Sequence, residues 1–268
     1  MRFIELELEA STDLPPSRDI QSMASPGGRL VLLDRPDGAM PRLRRFDGAW
    51  SDIALEGFLP RMLADSPDGG ILAIGTGDNH SGALYGPSGG IVRRFRFGDG
   101  VTDVSFDPDG NIFVLRREAP LLLRFDPQGD RVLDDPAVED IHDATQQKEG
   151  WMLLVQNDGA IWLNLSEKYD SDGKRLFSID PAELFGPGRV AADVLGWDAI
   201  LVLNETGAFT AVRKDGRHRS VRLPEAAIRR ELGRPLTASF DLFTTKEERL
   251  TLVATDRNKA LTFRILSE

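Results

Sequence analysis

The 268-residue sequence predicts an all-β protein: a six-bladed β-propeller of four-stranded antiparallel blades, forming one domain over residues 1–268. Three observations carry this expectation. A glycine-containing turn that feeds a short apolar strand recurs along the whole chain. A second hairpin signal follows in each of the first five copies. The chain also begins with a lone alternating strand, Arg2 to Glu9, and its last copy runs out after its third strand, Ala260 to Leu266.

The repeat is plainest in Ser25-Pro26-Gly27-Gly28, Ser66-Pro67-Asp68-Gly69 and Asp107-Pro108-Asp109-Gly110, each followed by four or more apolar positions. Each turn needs a residue with positive φ, which glycine adopts without steric cost. Further copies are read at Lys148 to Val155, Trp197 to Leu203 and Glu247 to Ala254. Taking Leu30, Ile71, Ile112, Trp151, Ile200 and Leu250 as equivalent gives steps of 41, 41, 39, 49 and 50 residues. The second hairpins fall at Phe46-Asp47-Gly48, Gly86 to Gly90, Asp126 to Asp130, Asp170 to Gly173 and Lys214 to Arg217. Two hairpins per copy make four strands, and the orphan N-terminal strand completes the last blade, removing a free sheet edge.

Three excursions break the period between the fourth strand of one blade and the first of the next. Asp134 to Asp140 reads as an acidic loop. Asp180-Pro181 to Gly186 reads as a short helical turn with an N-cap, a first-position proline and a terminal glycine. Pro224 to Gly233 reads as about two turns of helix stopped by its glycine. The four tryptophans, Trp50, Trp151, Trp162 and Trp197, are expected to fill space between blades.

Net charge of −10 and a pI near 4.9 argue against nonspecific binding to nucleic acid or anionic membrane, because both need a positive field. No run of about 18 apolar residues is present, and the first nine residues alternate rather than form a signal peptide, so the expected location is cytoplasmic. Without cysteine there are no disulfides and no thiolate chemistry. The runs Arg42 to Phe46 and Arg93 to Phe97 alternate basic and apolar residues, as outer strands do, and are read as solvated faces, with RNA contact through Arg93, Arg94 and Arg96 as the alternative.

Val104-Ser105-Phe106-Asp107-Pro108-Asp109-Gly110-Asn111-Ile112-Phe113-Val114 resembles the strand-turn-strand signature of NHL-type and related six-bladed propellers. That resemblance implies a fold whose members bind proteins or RNA, or, in the similar-looking regucalcin and gluconolactonase type, act as metal-dependent lactonases. It also implies that the loops between strands two and three, and those leading into strand one, share the functional face. On this chain that face carries Asp34, Arg35, Asp78, Asn79, His80, Arg116, Arg117, Glu118, Asn157, Asp158, Asn204, Glu205, Asp256, Arg257 and Asn258.

Chemistry is sparse among these residues. Gly86 to Gly90 fits G-x-S-x-G, but it joins two strands where a nucleophile elbow needs a strand followed by a helix, so Ser88 reads as a turn residue. Asp170-Ser171-Asp172-Gly173 lacks the later ligands of a calcium loop. His80, His142 and His218 have no metal-binding spacing. Asp103, Asp143 and Asp193 stand at the starts of three inner strands, where they either accept backbone N–H groups or turn toward a divalent cation with Asn157 or Asn204. Under the lactonase alternative that cation is Ca²⁺ or Zn²⁺; otherwise no cofactor is expected. The first inner strand, Asp19 to Ala24, has no glutamate where the lactonases use one. The expectation is therefore a non-enzymatic module that binds another protein. The acidic total points to a basic partner, such as a toxin or effector neutralised by a cytosolic inhibitor of immunity type.

Overall fold

A computed structural model describes residues 4–15, 20–25, 29–35, 39–77, 80–117, 122–132, 138, 141, 151–195, 199–239, 241–246 and 248–266. The chain gathers into two compact units, one of Met1–Asp52 with Ala182–Glu268 and the other of Ile53–Pro181. Short strands joined by tight turns build both.

The first unit opens with β1 (Ile4–Asp13), then a four-stranded sheet of β2 (Ile20–Ala24), β3 (Val31–Asp34), β4 (Arg42–Phe46) and β5 (Trp50–Ile53). The second unit holds three sheets. The first is β6 (Leu59–Asp65), β7 (Ile71–Gly77), β8 (His80–Tyr85) and β9 (Ile91–Phe95). Next comes β10 (Val101–Phe106), β11 (Ile112–Arg116) and β12 (Leu122–Phe125), with Arg131 bridging to Phe125 beyond β12. The third is β13 (Leu153–Val155), β14 (Ile161–Leu163), β15 (Glu167–Tyr169) and β16 (Arg175–Ser178).

The chain then returns to the first unit through α1 (Pro181–Phe185) and adds β17 (Val190–Val194), β18 (Ala199–Asn204), β19 (Phe209–Arg213) and β20 (His218–Arg222). After α2 (Glu225–Leu232) come β21 (Asp241–Lys246), β22 (Arg249–Ala254) and β23 (Lys259–Leu266). These strands and β1 form one sheet in the order β17-β18-β19-β20-β1-β23-β22-β21.

The expected closure of chain start against chain end is present. β1 runs antiparallel to β23 from Glu5↔Leu266 to Asp13↔Lys259, and its other edge meets β20 in a short parallel pairing at Ile4↔Val221 and Glu5↔Arg222. A register shift between Leu8 and Ala10 re-aims Glu9, whose carboxylate accepts from Arg264 Nε at 2.8 Å and Arg249 Nε at 2.9 Å. Those two guanidinium contacts hold the Glu9 carboxyl below its usual range. On the inner side, Leu6 of β1 joins Phe209, Phe243, Leu252, Leu261 and Phe263 in one apolar cluster. α2 packs Ile228 and Leu232 onto that cluster and ends at Gly233, left-handed at φ 71°, whose N–H bonds Arg229 O.

One hairpin chemistry recurs. At Ser66, Gly86, Asp107, Asp126, Gln156, Asp170, Asn204 and Arg213, the residue's N–H bonds the carbonyl four residues on, and its own carbonyl accepts the N–H three residues on. The residue three on is always glycine, with φ between 79° and 96°. Ser88 and the Asp170 turn are thus hairpin residues, as their context predicted.

The pattern also corrects the register of the fourth copy. Leu153–Val155 was expected as a second strand but is the first of its sheet, pairing only with β14 there and packing beside β10, the first strand of the preceding sheet. The turn equivalent to Asp107–Asn111 is therefore Gln156–Ala160, and Ile161 takes the place given to Trp151. The steps become 41, 41, 49, 39 and 50, so the extra residues precede Leu153. Trp151, standing before a first strand instead of inside a second one, is 47% exposed, whereas Trp162 is 1% exposed and fully within the sheet core. Trp197 and most of the acidic loop Asp134 to Asp140 lie outside the described residues.

Candidate functional site

Asp103 and Asp193 do the same job in different units. Asp103 accepts the N–H of Val104 at 2.8 Å through one oxygen and that of Leu153, the first residue of β13, at 2.7 Å through the other. Asp193 accepts from Val194 N at 2.8 Å and from Thr245 N, on β21, at 2.6 Å. Asp103 thus fastens the first strand of one sheet to the first strand of the next, and Asp193 fastens β17 to β21, the two edge strands of the eight-stranded sheet, each across about fifty residues of sequence. Burial pushes the Asp193 carboxyl above its ordinary value of 3.8, against the pull of the Thr245 and Val194 N–H groups. Both oxygens of each aspartate hold backbone N–H groups, so each carboxylate serves its strand starts, the first of the two roles the sequence offered. Asp143 lies outside the described residues.

The polar residues expected on the functional face are mostly occupied in holding turns. Asp34 is buried and ion-paired with Arg44 at 3.6 Å. Asn204 accepts Ala208 N–H at 2.9 Å and donates to Phe185 O at 3.2 Å, tying the β18–β19 turn to α1. Asp256 receives Arg234 Nε at 2.9 Å, and the same guanidinium donates through Nη1 to fully buried Asp241 at 2.9 Å. That arginine holds the Asp256 carboxyl below its usual range, while the two carboxylates raise the guanidinium's own affinity for its proton. Arg257 pairs with Asp256 at 3.5 Å, and Asn258, at φ 50°, accepts Leu14 N–H at 2.7 Å. Arg35 and Glu205 are exposed. Asn157 and Asp158 sit in the turn between first and second strands, the end of the sheet opposite the one expected, because of the corrected register. Asp78, Asn79 and Glu118 lie outside the described residues.

What remains open is a cleft in the second unit, ≈ 720 Å³ in volume, between the β7–β8 hairpin and the segment from Arg96 to Val101. Its construction is local. Gly75 lies on the floor because a Cβ there would sit 2.0 Å from Leu59 O, and a Cβ at Gly77 would come within 2.9 Å of the Phe58 ring. The wall is fixed where Phe97 N–H donates to Ser81 Oγ at 2.8 Å. The Phe97 ring is buried over Gly82, whose Cβ would fall 2.4 Å from it, and is stacked on Phe95 and edge-on to Phe125. His80 lines this cleft, as does Gly77.

Sequence reasoning missed the two cations that give the cleft its character. Arg61 and Arg96 both line it and both are exposed. Arg61 donates Nη2 to Val101 O and has no ion pair among the described residues. Arg96, read as part of an outer strand, falls just past the end of β9 and has neither ion pair nor hydrogen bond among the described residues. Just outside, Arg116 Nε donates to Asp99 O at 3.0 Å and Arg117 N–H to Gly100 O at 2.8 Å, pinning the same loop from β11. Asp99 is the one carboxylate lining the cleft among the described residues.

No protein-family model and no curated protein matches the chain. Solved structures do. The chain is similar to YCF48 bound to D1 peptide, at 15% identity and TM-score 0.57 over 93% of this chain and 79% of that one. It is similar to virginiamycin B lyase from Staphylococcus aureus, at 11% identity and TM-score 0.56 over 97% and 100%. The WD40 β-propeller domain of Doa1 aligns at 12% identity and TM-score 0.54 over 97% of each chain. At such identities the likeness is one of fold, and the fold is a β-propeller.

Proposed function

We propose that this β-propeller is a binding module that grips another protein through the loop edge of its second unit. The observation that carries the reading is the open cleft beside β7 and β8: it is floored by glycine backbone, walled by a pinned loop, and lined by arginines without carboxylate partners among the described residues. Two of the similar structures support the reading by their nature, one being bound to a peptide and one a WD40 domain.

The finer version is a cytosolic inhibitor of immunity type that covers a basic toxin or effector. The net charge of −10 supports it, since a field of that sign speeds encounter with a cationic partner. The metal-dependent lactonase alternative would have to recruit Asp103 and Asp193 from backbone contacts that join neighbouring strands. The test is affinity capture from native lysate with the wild-type protein and with a cleft variant, Arg61→Gln/Arg96→Gln. A stoichiometric protein partner is expected with the wild type; its absence overturns the binding reading.

A further inference from the structure

We infer that the cleft is a carboxylate-binding site, taking an acidic side chain or a chain terminus of the partner protein between Arg61 and Arg96. The inference rests on the protein-binding reading above and adds the chemistry of the contact.

The partner's charge at this point follows from the local balance, which runs against that of the whole molecule. The chain carries an excess of ten negative charges, and Arg44, Arg94, Arg124, Arg175, Arg222, Arg234, Arg249 and Arg264 all have carboxylates within 4 Å. Arg61 and Arg96 have no carboxylate within 4 Å among the described residues, and the two share one cleft. Among the described residues a single lining carboxylate, Asp99, stands against them.

The geometry suits a planar anion. Arg61 is held from behind by the Val101 carbonyl, which engages one Nη2 hydrogen and leaves the rest of its fork open. Arg96 lies on the loop whose carbonyls at Asp99 and Gly100 are pinned by Arg116 and Arg117, so its backbone is placed while its guanidinium is unspent. The Arg61 guanidinium, held in this way, loses little freedom on meeting a carboxylate, and the planar fork of each arginine suits a bidentate pair. The glycine floor admits main chain as well as the carboxylate, because Gly75 and Gly77 present no side chain. A peptide segment fits this shape; a nucleic acid would meet the acidic remainder of the surface.

Calorimetry on the full chain at low salt tests the inference with three probes: tetraglutamate blocked at both ends, tetraalanine with a free carboxyl terminus, and inorganic phosphate. Binding of either peptide is expected, weakened about tenfold or more by Arg96→Gln and by Arg61→Gln and strengthened by Asp99→Asn. Which peptide binds tells side-chain from terminal carboxylate. Arg96→Gln breaks no bond among the described residues, so an unchanged melting curve accompanies its loss of binding. The inference is overturned if neither peptide binds, if both arginine variants bind as the wild type does, or if phosphate binds as tightly as the peptides. If lysate capture yields the same partner with wild type and with the double variant, protein binding stands and this cleft is not its seat.

Discussion

Arg234 in the first unit and Arg96 in the second occupy comparable places in the chain. Arg234 lies in the connection from β20 to β21 and Arg96 in that from β9 to β10, and each stands beside the tip of a hairpin. Arg234 meets two carboxylates and is largely buried; Arg96 meets none among the described residues and is exposed. The connection around Arg234 carries α2, packed on the core through Ile228 and Leu232, and it needs an anchor at its far end. The guanidinium supplies it by bridging Asp241 at the start of β21 to Asp256 in the β22–β23 turn. The connection around Arg96 is anchored by other means, the Ser81 hydroxyl and the buried Phe97 ring. The difference teaches which charges belong to the fold and which are left over for a ligand.

Breaking the saturated arginine has the largest expected effect. Arg234→Ala leaves Asp241, with a fully buried side chain, facing no cation, and urea denaturation should show a loss of about 3–5 kcal/mol. Arg234→Lys keeps the charge but not the fork and should recover only part of that loss. An alanine variant as stable as wild type would remove the contrast with Arg96 altogether.

Next come the paired strand fasteners. Asp103→Asn and Asp193→Asn each replace an accepting oxygen by an NH₂ group, so one strand-start N–H, of Leu153 or Thr245, loses its partner. Each should cost about 1–3 kcal/mol, with the two losses similar because the geometry is repeated. Gly75→Ala should cost at least as much, since its Cβ has no room beside the Leu59 carbonyl.

Acid titration sharpens the comparison within the first unit, because Asp193 and Asp256 are shifted in opposite directions. The Asp193 carboxyl is raised, so its protonated form is favoured by folding; the stability it contributes is present below the ordinary 3.8 and is lost as pH rises through the folded value. The Asp256 carboxyl is lowered, so its contribution is present above 3.8 and is lost as pH falls through the folded value. The stability advantage of wild type over Asp193→Asn should therefore shrink with rising pH, and that over Asp256→Asn should grow. Chemical denaturation at several pH values on both sides of 3.8 would show the two slopes.

Much of the architecture was legible because it is written in local chemistry. The Asp-Pro-Asp-Gly-Asn turn at 107–111, the helix stop at Gly233 and the pairing of the first strand with the last all follow from residues a few positions apart or from an unpaired edge. The fourth copy was misplaced by one strand because Trp151 to Val155 is as apolar as any second strand, while the turn that sets the register, Gln156-Asn157-Asp158-Gly159, comes after it. The site was less legible. Asp103 and Leu153 meet across about fifty residues, and Arg61 and Arg96 face one cleft only because glycines at 75 and 77 let β7 approach Leu59 and Phe58. Alternation along Arg93 to Phe97 describes an outer strand correctly as far as Phe95 and says nothing of the residue just beyond it.

The smallest expected effect on stability is the most informative for function. Arg96→Gln removes a side chain with no hydrogen bond or ion pair among the described residues, so its unfolding free energy should stay within about 0.5 kcal/mol of wild type. Most surface arginines in this protein would behave differently only slightly, since exposed pairs such as Arg222 with Glu5 are worth little. What distinguishes Arg96 is a null result in urea together with a loss in binding: a side chain that the fold does not need is kept for something outside it. Arg222→Gln is the matched control, equally mild for stability and without consequence for the carboxylate probes. Should Arg96→Gln destabilise the protein by 2 kcal/mol or more, about the worth of a charged hydrogen bond, the residue would belong with Arg234 as a structural anchor and the cleft would lose its free cation.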